Sequence, residues 1–208
     1  MKKVIFEKSI LSCVLIFLIC CIARVVEYFG IRTDETILAE NFIHKVFGII
    51  ILVVMLVLSK LSWDSIGFTK TKIVQNVLKG LALGVSCFSI AYLVECVLLY
   101  CMNGNVQLSV YTSGFSLNGE AVKQTGIGYI ILSGVMSIKW SVLYKMTGSL
   151  WMGIGDHLFN NIVVTNLLHV ISNNEADNLQ IIRILIGQLI SFVLVMSFYK
   201  KRALLGKC

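Results

Sequence analysis

The chain contains no proline at all, and only 14% of its 208 residues are charged. The first absence excludes proline kinks from any helix it forms. The second sets it apart from an ordinary water-soluble globule, where about a quarter of residues are charged. There is no Cys-x-x-Cys, and the seven cysteines and three histidines show none of the spacings of a structural zinc site. Cys13, Cys20, Cys21, Cys87, Cys96 and Cys101 fall inside apolar runs and read as small packing residues, while Cys208 is too close to the end for a prenylation box. No Glu-Glu pair occurs anywhere, and none of the histidines follows a Phe four residues earlier; those positions hold Glu40, Gly153 and Thr165. No internal repeat or low-complexity segment is present.

What fills the space is apolar. Hydrophobic residues make up 57% of the chain and the mean hydropathy is +0.87. Six apolar segments follow one another: 9–28, 47–60, 74–102, 126–145, 150–171 and 179–199. At roughly 20 residues per span, this predicts an all-α, polytopic membrane protein, a bundle of about six transmembrane helices in a single domain over residues 1–208. All but five of the 18 Lys and Arg side chains fall in the segments that face inward when the N-terminus is inside; the exceptions are Arg24, Arg32, Lys45, Lys123 and Arg183. That asymmetry predicts an integral protein of a bacterial plasma membrane with both termini cytoplasmic. The positive charge lies in short clusters beside apolar runs, which argues against nucleic acid as a partner.

Several polar residues interrupt the runs. Arg24 and Glu27 are three apart and read as an interfacial ion pair. Gly80 and Gly84 form a Gly-x-x-x-Gly spacing that permits close helix approach, although the spacing is common by chance. Glu95 lies deep in the third apolar segment with no basic residue near it in sequence, so it is expected to be buried and neutral or partnered elsewhere. Lys139, near the end of the fourth, reads as a side chain that snorkels to an interface. The fifth segment carries the most: Asp156, His157, Asn160, Asn161, Asn166 and His169. His157 and Asn161 are four apart, one above the other on one helix face. Such a pair can polarise a carbonyl or hold an oxyanion, or it can serve as hydrogen-bonding glue between helices. A metal would need two or three further ligands, and Asp156 points about 100° away on a helix. No cofactor is expected.

Thr147-Gly148-Ser149-Leu150-Trp151 followed by His157-x-x-x-Asn161 resembles the third motif of the CPBP membrane proteins, the CAAX-protease and bacteriocin-processing relatives also called the Abi family. Leu143 to Met146 fits the run into that motif, Trp63 to Gly84 resembles the family's connector and next helix, and the match is best over 126–171. The resemblance implies an intramembrane endopeptidase in which a Glu-Glu-x-x-x-Arg motif activates water and a Phe-x-x-x-His motif and the His-x-x-x-Asn motif complete the site. Its partners would be the lipid bilayer and a membrane-embedded peptide or lipidated protein substrate. Only the last motif carries over, onto His157 and Asn161 as catalytic residues. The first two are absent, which leaves Glu95 as a candidate replacement base. A chain lacking its general base is expected to be a weak or inactive protease, or a non-catalytic protein that binds a membrane peptide, as in bacteriocin self-immunity.

Overall fold

The computed structural model describes residues 18–19, 21–22, 26, 46, 48–54, 56–58, 60–110 and 126–205. The first apolar segment and the acidic stretch 30–41 lie almost wholly outside them, as do the pair Arg24 and Glu27 and most of the polar stretch between 103 and 125. The chain divides into two compact units, Met1–Ile66 and Gly67–Cys208. In the first, the described residues between 46 and 58 are helical, and a 3₁₀ turn follows at Asp64–Ile66.

The second unit holds the site. Helix α1, Ile73–Asn103, is 31 residues long. Its apolar run contains no breaker except glycine, and it stops where Gly104 takes a left-handed conformation (φ 72°) and donates its N–H to Tyr100 O. Strand β1 (Gln107–Val110) follows, and helix α2 spans Gly126–Thr147. Gly148 ends α2 in the same way, with φ 66° and its N–H on Tyr144 O at 2.7 Å. Helix α3, Trp151–Phe159, begins three residues later. The chain continues through a π-helical segment, Asn160–Leu167, into strand β2 (Leu168–Ser172), strand β3 (Glu175–Ala176) and helix α4 (Gln180–Leu204).

Two strand pairings make a three-stranded antiparallel sheet in the order β1-β2-β3, with Leu108 opposite Val170 and Ser172 opposite Glu175. Between β2 and β3 only Asn173 and Asn174 turn the chain, both with positive φ (52° and 64°). Asparagine tolerates that conformation better than other non-glycine residues, and two left-handed residues in a row match the twist of a tight hairpin.

The core gathers Phe88, Ala91, Tyr92 and Leu99 of α1, Val164 of the π-helical segment, Val170 of β2 and Ile184 of α4. Helix α1 crosses α3 with the backbones touching. A Cβ on Gly80 would collide with Met152 O, one on Gly155 would collide with Val77 O, and Phe159 lies against Gly84. Gly187 of α4 receives the ring of Phe88 in the same manner.

This architecture corrects the expected fold class. Among the described residues, α1 and α4 alone have both the length and the hydropathy to cross a membrane, by composition only. The run expected as a fifth span, 150–171, is divided among a nine-residue helix, a π-helical segment and a strand. The β-branched run Ile162, Val163, Val164 and Thr165 lies within the π-helical segment, and the chain turns extended only after it, at Leu168. Hydropathy cannot distinguish such a run, or a buried core helix, from a span. Among the described residues an all-α bundle of about six transmembrane helices is therefore not formed. The expectations that depended on it are set aside with it: the CPBP resemblance, the intramembrane endopeptidase and self-immunity readings, the plasma-membrane placement with both termini cytoplasmic, and the bilayer, membrane-peptide and lipidated-protein partners.

Candidate functional site

The corner between α2 and α3 uses the polar residues that precede Trp151 for local turn chemistry. Thr147 Oγ1 lies 2.8 Å from Leu143 O and 3.3 Å from the Ser149 amide, and Ser149 Oγ accepts the Trp151 N–H at 3.2 Å. The connector before α1 pins the corner from outside. Leu150 donates its N–H to Gly67 O at 2.9 Å, Trp151 Nε1 donates to Thr69 O at 2.7 Å, and the Phe68 ring meets the Trp151 ring edge-on. The Thr-Gly-Ser-Leu-Trp run thus has a structural role at a helix junction.

Helix α3 then carries Asp156 inward and His157 toward the half-exposed side. Asp156 and Lys139 are both fully buried, and the Lys139 Nζ to Asp156 Oδ2 distance is 2.6 Å. Lys139 therefore does not snorkel to an interface; α2 turns it into the core. It also donates to Gln188 Oε1 at 2.5 Å and Ser191 Oγ at 3.2 Å, both on α4. Burial pushes the Lys139 ammonium below its ordinary range, and the Asp156 carboxylate draws it part of the way back. Trp140 Nε1 donates to the same Asp156 Oδ2 at 2.8 Å, while Asp156 Oδ1 has no hydrogen-bond partner. Its indole packs edge-on against the His157 imidazole at 4.8 Å between centroids. The buried charge pair thereby sets the position of Trp140, and Trp140 supports one side of His157.

The expected pair of His157 and Asn161 is brought together. Asn161 Nδ2 lies 3.1 Å from His157 Nε2, with both residues half-buried. Asn160 turns from the same segment toward α4 and is buried; its Nδ2 donates to Asn161 Oδ1 at 3.3 Å, and its Oδ1 accepts from Gln188 Nε2 at 3.5 Å.

Glu95 belongs to a different centre. It pairs with Arg183 of α4 (Nη1 to Oε2 2.8 Å), and both are buried, so the basic partner missing from its sequence neighbourhood comes from 88 residues away. Arg183 Nη2 reaches Asp177 Oδ1 at 3.1 Å and Val164 O at 3.2 Å, and its guanidinium lies 4.5 Å above the Tyr92 ring. Asp177 in turn binds His169 Nδ1 at 2.5 Å and the Val170 N–H at 3.1 Å. His169 is therefore buried inside the fold. Along α1, Glu95 stands 15 residues beyond Gly80, which touches the backbone at Asp156; at 1.5 Å per residue the two levels are about 20 Å apart. The structure does not place Glu95 against His157.

Reasoning from sequence missed Lys139, Trp140, Asp156, Arg183, Gln188 and Ser191 as members of buried polar centres. Polar residues at helical spacing in the last apolar segment (Gln188 and Ser191) were the signal available for two of them. Among the described residues no three His, Cys, Asp or Glu side chains group as a metal site. No protein-family model, curated protein or solved structure matches the chain.

Proposed function

We propose that the chain is an enzyme that polarises the carbonyl of a small, neutral substrate at the half-exposed pair His157 and Asn161, which hold each other in place. One observation carries this reading: His157 is half-exposed yet held on two sides, by Asn161 at Nε2 and by the Trp140 ring. A preorganised donor stabilises the negative charge that builds on a carbonyl oxygen during addition or enolisation, and does so without reorganising at the moment of reaction. Lys139 and Asp156 are too deep to touch a substrate and act as positioning residues through Trp140 and Gln188. Glu95 is committed to Arg183 and has no part in the step.

The test is hydrolysis of p-nitrophenyl acetate, an activated ester that needs little help from a base, by the purified full chain against an equal concentration of free imidazole. Turnover above the imidazole rate is expected. It should fall about 10²-fold in His157→Ala, several-fold in Asn161→Ala, and stay unchanged in Glu95→Gln. Equal rates for wild type and His157→Ala would remove the proposal.

A further inference from the structure

Helix α1 packs by one face only. Gly80, Gly84, Phe88 and Ala91 are buried against the rest of the second unit. The other face carries Val74, Leu78, Val85, Leu93 and Val97, each between 48 and 70% exposed. A continuous apolar strip of that extent marks an interaction surface. From Gly80 to Asn103 the helix holds no charged residue except the buried Glu95, so the strip suits an apolar occupant. Its serines are satisfied within the helix: Ser86 Oγ donates to Ala82 O at 2.8 Å and Ser89 Oγ to Val85 O at 2.7 Å. They present small side chains that need nothing from a partner.

The strip reads the same from either end. About a point between Val85 and Ser86, Val74 corresponds to Val97, Leu78 to Leu93, and Ala82 to Ser89, and all of these are exposed. Helical repetition alone sets exposed positions out symmetrically. It does not match their sizes, which here are large toward both ends and small in the middle. A two-fold axis demands such self-complementarity, in which residue i meets j and j meets i. Small central residues also let two helix axes approach to about 8–10 Å.

From this we infer that α1 pairs with α1 of a second copy of this chain, antiparallel about a two-fold axis between Val85 and Ser86. Leu78 then packs against the partner's Leu93, and Ala82 lies opposite the partner's Ser89. Charge favours the same arrangement. Lys70 and Lys72 are exposed at the start of α1. An antiparallel pair sets the two Lys72 positions about 40 Å apart at 1.5 Å per residue, several Debye lengths. A parallel pair would stack the two basic ends. The pairing involves neither His157 nor Asn161, so it stands or falls apart from the enzymatic reading.

The experiment reads mass first and geometry second. Light scattering of the purified full chain after gel filtration should give twice the 23.2 kDa of one chain. Ser86→Lys sets two like charges face to face at the axis and should halve that mass. Ser86 is exposed in the single chain, so the fold should survive, which circular dichroism checks. Disulfide trapping reads the geometry, with the wild type as the baseline for its native cysteines. Ser86→Cys should cross-link to itself on mild oxidation. Leu78→Cys and Leu93→Cys should each fail alone, because the same residue in two copies is then about 22 Å apart, far beyond disulfide reach. Co-expressed, the two variants should cross-link to each other. A one-chain mass in the wild type assigns the strip to a different occupant and overturns the inference. So does a mass that Ser86→Lys leaves unchanged. Self-linking of Leu78→Cys, the mark of a parallel pair, overturns it too.

Discussion

Arg183 shows how much of this fold can depend on one side chain. It is fully buried, and it joins a helix on one side (Glu95), the turn after β3 (Asp177), the carbonyl of Val164 and the face of Tyr92. Truncating it would leave the Glu95 carboxylate in an apolar interior with no counter-charge and Asp177 with only His169 and the Val170 N–H. Breaking a buried pair from one side costs about 3–5 kcal/mol, a large part of the 5–15 kcal/mol that holds a typical domain together. Arg183→Ala should therefore lower the unfolding free energy by that amount, read as a lower urea midpoint with an unchanged slope. A change within about 0.5 kcal/mol, the range of an ordinary surface substitution, would show that the pair is not buried as described. Lysine is no substitute here, because its single ammonium lacks the planar fork that reaches Glu95 and Asp177 together.

At the scale of elements, the crossing of α1 over α3 is the tightest joint. Gly80 and Gly155 meet backbone on the opposite helix, whereas Gly134 of α2 has nothing within 4 Å of the site a Cβ would occupy. Gly80→Leu should force the helices apart and cost at least the 1–3 kcal/mol of an overpacked core. Gly134→Ala should instead raise stability by up to about 1 kcal/mol, since alanine is the better helix residue. Thermal melts of the two variants test this, and similar effects in both would contradict the contact.

The sequence showed part of this level. The Gly80 and Gly84 spacing was visible and is used, and the apolar lengths of α1 and α4 were readable. Strand β2 was not, because Leu168 to Ser172 continues an apolar run with no proline or glycine to mark its start. The site divides in the same way. His157 and Asn161 were legible from their four-residue spacing, a local feature. Lys139, Gln188 and Arg183 were not, because their partners come from other elements and no local pattern announces a pairing across 49 or 88 residues.

Taken whole, the second unit has two polar centres set into an apolar frame, one around Lys139 and Asp156 and one around Glu95, Arg183 and Asp177. The second centre has a consequence on heating. Removing charged groups from water costs less as temperature rises, because their hydration carries a strongly unfavourable entropy, while hydrophobic stabilisation per unit area levels off. A triple replacement of Glu95, Arg183 and Asp177 by apolar side chains of similar volume should match or exceed the natural chain in stability near 25 °C. That advantage should shrink with each ten degrees of warming, so that the two stability curves, measured by calorimetry, converge toward the melting range. Parallel curves would mean that water reaches the triad. Converging ones would make the Glu95–Arg183–Asp177 cluster a device whose worth is set by the temperature at which the chain works.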